Sequence, residues 1–77
     1  MFEEHDLVRL REAMPAANLP RGAVGTIVQV FEQPAAFLVE FTDAQGETLA
    51  MEAVKAETLD LLWTSQQGWV HVNAHAA

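Results

Sequence analysis

The sequence predicts a small all-β domain built from antiparallel strands. Three observations carry this. Asp6 to Arg11 alternates apolar and polar residues. Ala23 to Phe31 holds β-branched residues at five of nine positions, which suits a pleated, half-buried surface. Phe37 to Thr42 follows it after a turn and repeats the alternation. At 77 residues the chain has room for one such domain and a thin core.

Each element can be justified in order. In Asp6–Arg11, Val8 and Leu10 share one side while Arg9 and Arg11 share the other, the pattern of a strand with one wet face. Residues 12–22 hold two prolines, an asparagine and a glycine, so they form a loop, with Met14 and Leu19 turned inward to pin it. Gly25 interrupts the parity of the next strand, the sign of a bulge or of a close backbone approach. Glu32-Gln33-Pro34 reads as a turn, after which Phe37, Val39 and Phe41 face inward. Asp43 and Gly46 occupy the ends of a type I turn.

Residues 47–62 fit two patterns. Met51, Val54, Thr58 and Leu61 fall at helical spacing in a stretch rich in helix formers. Leu49 and Met51 also alternate, and Gly46 would close a turn into a third strand. Thr58–Trp63 reads as a final short strand, Thr64–Gly68 as a polar, flexible link, and Trp69–His75 as a return to alternation. The expected core is Val8, Leu10, Val24, Ile27, Val28, Val30, Val39, Phe41, Leu49, Met51 and Leu61.

Composition narrows the function. Eleven Asp and Glu against four Lys and Arg give a net charge of −7. Arg9, Arg11, Arg21 and Lys55 are too few to neutralise a run of phosphates, so neither nucleic acid nor an anionic membrane is an expected partner. The chain has no cysteine, which removes thiol chemistry and Cys-based zinc sites. Its acidic start is unlike a secretion signal, and no apolar run approaches the ~20 residues that cross a bilayer, so a cytoplasmic protein is expected.

No enzyme is expected. Ser65 is the only serine and sits in a polar link, the four glycines are isolated, and the carboxylates are scattered over turns and wet strand positions. No cofactor is expected either. Metal binding has one candidate pair, His71 and His75, with His5 or a carboxylate to complete it. On a strand those two imidazoles would stand roughly 13 Å apart, too far for one ion.

Taken together, His5–Leu10, Leu19–Val28, Leu38–Asp43 and Gly46–Ala50 resemble an uncharacterised bacterial family of small stand-alone SH3-like proteins, classed as a domain of unknown function. The likeness runs from residue 5 to about 62. It implies a five-stranded SH3-like barrel over residues 1–63, with residues 47–54 as strand and Ala56–Thr58 as a helical turn, followed by a tail over residues 64–77. More distantly, the Leu19-to-Ile27 stretch is similar to the SH3-like part of nitrile hydratase β subunits. The strand–glycine–strand pattern is similar to the KOW motif of ribosomal and transcription factors, and implies a nucleic-acid-associated regulator as an alternative.

The tail carries the candidate interaction surface: Trp63, Trp69, Val70 and Val72. Tryptophans in a terminal segment need a cover. That cover is the barrel itself, a second copy that pairs its tail strand with a sheet edge, or another protein. The main expectation is a non-enzymatic interaction or accessory module working as a homodimer, and the second is a metal-binding or enzyme-accessory protein using His71 and His75.

Overall fold

In a computed structural model, which describes residues 2–33 and 35–70, the chain is a curled antiparallel sheet of six strands. These are β1 (Leu7–Leu10), β2 (Val24–Glu32), β3 (Ala35–Thr42), β4 (Thr48–Val54), β5 (Leu59–Thr64) and β6 (Gly68–Trp69). Their spatial order is β4-β3-β2-β1-β5-β6. Two 3-10 turns, Pro15–Ala17 and Ala56–Thr58, are the only helical pieces among the described residues. The result is a small, all-β, barrel-like domain.

The inward faces of five strands and one loop meet in a core of Val8, Leu10, Leu19, Ile27, Val39, Phe41, Val54 and Leu59. Leu19 arrives from the Pro-rich loop, where Met14 and Leu19 bridge each other and Asn18 takes a left-handed conformation at φ 58°. Gly22, at φ 87°, closes the turn into β2, a conformation that costs glycine nothing. Phe2 meets Phe37 edge to face at 5.3 Å and packs against the same core from the N-terminal side.

Local chemistry fixes the turns. Asp43 Oδ1 accepts hydrogen bonds from the amides of Gln45 and Glu47, and the Gly46 amide donates to the Asp43 carbonyl, as the Asp and Gly at the ends of the turn require. Before β1, Asp6 is the one buried charged residue among those described. Its Oδ2 accepts the Glu3 amide at 2.8 Å, which closes a turn holding His5 at φ 76°. The Asp6 carbonyl then accepts the Ile27 amide, and the His5 amide donates to Ile27, so the turn is stitched onto β2.

Several sequence expectations need correction. The bulge falls at Val28, where the β2–β3 register slips between Ile27 and Gln29. Gly25 stays in register with Val8 on one side and Phe41 on the other. Its role is close approach: a Cβ there would stand 2.5 Å from Val39 Cγ1 and 2.8 Å from the Glu40 carbonyl oxygen. Because Gly25 faces inward, Val24 faces out beside Arg9 and is exposed. Val28, displaced by the bulge, is only half-buried.

Residues 48–54 are strand, as the resemblance implied and the helical spacing did not. Yet Leu49 and Met51 point away from the core. The Asp43–Glu47 turn and a register slip opposite Phe41 and Thr42 set Ala50 and Val54 inward and turn the larger residues out. Val30 and Leu61 pack against the core from partly buried positions, as expected. β3 begins at Ala35 and β2 runs through Glu32, so this hairpin is tighter than the sequence suggested. The sixth strand adds to the five expected.

Candidate interaction surface

The residues singled out for interaction lie where β5 turns back on itself. Thr64 Oγ1 accepts the amides of Gln66 and Gln67, and β6 then pairs antiparallel with β5, Thr64 opposite Gly68 and Trp63 opposite Trp69. The Val70 amide donates to the Leu62 carbonyl at 2.7 Å and prolongs the contact. The segment expected to be a flexible link is therefore a capped turn, and the beginning of the tail folds onto its own sheet. Val72, His71 and His75 lie outside the described residues.

Cross-strand register puts the tryptophans in a row. Trp69 faces Trp63, Trp63 faces Leu7, Leu7 faces Thr26, Thr26 faces Glu40 and Glu40 faces Met51. Directly opposed residues point to the same side of a sheet, so this row crosses the outer face from one edge to the other. Trp63 and Leu7 are half-buried against their neighbours, whereas Trp69 is 73% exposed. An indole that large and that open leaves apolar area that packing among the described residues has not covered.

Next to this row the cations are already engaged. Arg9 Nε lies 3.2 Å from Asp60 Oδ2, and Arg11 Nε lies 3.7 Å from Asp60 Oδ1. Arg11 also donates to the Glu57 carbonyl. One carboxylate thus gathers two of the four cations of the chain, and it clamps β1 to β5. The sequence had placed Arg9 and Arg11 on one face but gave no sign of Asp60, which is 49 residues beyond Arg11.

A cleft lies between the N-terminal turn and the β5–β6 turn. It holds about 120 Å³ and is lined by Glu3, Asp6, Leu61, Thr64, Gln66 and Gln67, well below the roughly 300–1,000 Å³ of a small-molecule site. Among the described residues no three His, Asp or Glu side chains stand close enough to hold a metal ion. No helix among them is long and apolar enough to cross a membrane. Asp6 is the functional-looking residue that composition missed; its burial and its bond to the Glu3 amide assign it to the turn before β1.

The model of a family described as Domain of unknown function (DUF4926) matches residues 4–61. The chain belongs to this family. No curated protein and no solved structure matches the chain. The family match begins at the Glu3–Asp6 turn and ends within β5, so the frame that it covers holds Leu7, Arg9, Arg11 and Asp60. Trp63 and Trp69 lie just beyond it.

Proposed function

We propose that this member of the DUF4926 family is a non-enzymatic protein–protein interaction or accessory module that also self-associates. The outer-face row Trp69–Trp63–Leu7 is its docking surface, with Val70 at its margin. The observation that carries this reading is the exposure of Trp69 on a strand fixed to β5 by a capped turn: an anchor held in place costs little entropy when a partner covers it. The acidic surface favours a protein partner with basic residues at the rim, and it disfavours phosphate backbones and anionic lipid.

An SH3-like barrel is the fold type that we infer. The pairing of β1 with both β2 and β5, and the single 3-10 turn between β4 and β5, support it. A cytoplasmic setting fits a chain without cysteine.

Paired affinity capture tests the reading, with the full chain and its Trp69→Ala variant as baits in extract of the source cells. The proposal expects a discrete protein retained by the full chain and depleted about tenfold or more by the variant, the loss of a central aromatic anchor. Equal recovery on both baits would contradict it.

A further inference from the structure

We infer that the cleft behind the tryptophan row takes the ammonium of a lysine carried by the docked protein. This inference rests on the proposal above and names one contact that its partner makes. Glu3 and Asp6 reach the cleft from the N-terminal turn, and Thr64, Gln66 and Gln67 reach it from the β5–β6 turn. Leu61 adds an apolar contact. Two carboxylates line the cleft, and no Lys, Arg or His does.

Asp6 makes this more than a group of surface acids. It is 2% exposed, and its Oδ2 is taken by the Glu3 amide at 2.8 Å. Among the described residues no group donates to Oδ1, and no side-chain oxygen that lacks a partner is fully enclosed. Oδ1 therefore opens on the cleft that Asp6 lines. A charged oxygen so far out of bulk water, with lone pairs to spare, calls for a cationic donor.

Geometry selects the cation. With Oδ2 occupied, Asp6 has only one oxygen left, so it cannot receive an arginine fork on both. An ammonium instead spreads three donors over separate acceptors, here Asp6 Oδ1, the Glu3 carboxylate and a side-chain carbonyl of Gln66 or Gln67. No three His, Asp or Glu side chains among the described residues stand close enough for a metal ion. The volume of about 120 Å³ equals about four waters at roughly 30 Å³ each. That is room for an ammonium head and the end of its alkyl stem.

The chain sets the cleft beside the docking row. Asp6 precedes Leu7, Thr64 follows Trp63, and Gln67 is separated from Trp69 by Gly68 alone. Neighbouring strand residues point to opposite faces, so the row and the cleft lie on the two sides of one sheet end. A segment lying on Trp69 and Trp63 passes that end, where a side chain can turn over it. Lysine, with a flexible four-carbon stem, has the reach.

Nuclear magnetic resonance titration of the full chain with n-butylammonium, the end of a lysine side chain, reads the cleft at the Gln66 and Gln67 amides. The expected result is a saturable shift with a dissociation constant on the order of 10 mM, as suits so small a ligand. Asp6→Asn keeps an oxygen for the Glu3 amide and should weaken binding about tenfold or more. Glu3→Gln, at an exposed position, should act in the same direction and serves if Asp6→Asn fails to fold. Trp69→Ala should leave the titration unchanged, and neutral butanol should give no saturable shift. In paired capture, the protein depleted by Trp69→Ala should be depleted about tenfold by Asp6→Asn as well.

No saturable shift, or an equal one in both carboxylate variants, would overturn the cleft and leave docking on Trp69 standing. Ammonium binding lost in Asp6→Asn with undiminished capture by that variant would assign the cleft to a free amine and overturn the partner's lysine. Capture undiminished by Trp69→Ala would overturn the docking row, and the partner's lysine with it, even where butylammonium binds.

Discussion

Gly25 lies so close to Val39 that a methyl group at its Cα would stand 2.5 Å from Val39 Cγ1. The firmer obstacle to relaxation is the Glu40 carbonyl oxygen at 2.8 Å, since backbone in a paired strand moves less readily than a side chain. Gly25→Ala should therefore destabilise by about 1–3 kcal/mol. Thermal unfolding would show this as a melting point lower by roughly 4–8 °C per kcal/mol in a domain of this size. The same substitution at Gly46, where a Cβ meets nothing within 4 Å, would report only the strain of its positive φ.

Asp6 should tolerate loss of charge better than loss of its oxygen. Asp6→Ala leaves the Glu3 amide without its acceptor beside a buried position and is expected to cost about 1–3 kcal/mol. Asp6→Asn keeps a carbonyl oxygen for that amide and should cost less. Chemical denaturation of the two variants checks the order; an equal loss would remove the hydrogen bond as the cause.

Phe41 is the largest fully buried side chain. Its truncation to alanine should cost about 3–5 kcal/mol, a large share of the roughly 4–12 kcal/mol that a chain of this length has in hand. Urea titration is expected to show the midpoint lowered by that loss divided by a urea slope of about 1–3 kcal/mol/M. Met51→Ala, by contrast, should change stability by no more than about 0.5 kcal/mol, because Met51 lies outside the core.

The Arg9–Asp60 pair should prove weak. Arg9 keeps 40% and Asp60 32% of its side-chain surface in water, so a double-mutant cycle is expected to give a coupling below about 1 kcal/mol, shrinking with salt. Removing Asp60 alone should cost more than removing either arginine, since it releases both. A coupling well above that range would mean that water is excluded from the pair.

The strands were legible where β-branched or alternating residues run on, as in Asp6–Arg11, Ala23–Phe31 and Phe37–Thr42. The turns were legible at Gly22 and at Asp43–Gly46, where side-chain chemistry dictates backbone conformation. Faces were harder to read. A single extra residue reverses side-chain parity: the slip at Val28 displaced that residue from the core, and the slip opposite Thr42 reversed the expectation for Leu49 and Met51. Hydrophobic size favoured those two for the core, but the turn at Asp43–Glu47 fixed the register first. In the candidate surface, the tryptophans announced themselves by composition. Their alignment with Leu7 was hidden, since it depends on pairings across more than fifty residues.

Two tryptophans in different surroundings also give a direct optical signature. Acrylamide should quench Trp69 readily and Trp63 poorly, so the full chain is expected to show a curved quenching plot. Trp69→Ala should leave only the poorly quenched component, and a straight, readily quenched plot for that variant would show that Trp63 is open too.

The central claim, that the Trp69 end of the outer face docks a protein other than a second copy, is tested most directly by photo-crosslinking inside the source cells. A photoreactive phenylalanine analogue replaces Trp69 in one chain and the exposed Glu12 in a control. The account predicts a discrete adduct at position 69, of a mass other than twice 8.5 kDa, and none of that mass at position 12. No adduct at position 69, or the same adducts at both positions, would contradict it.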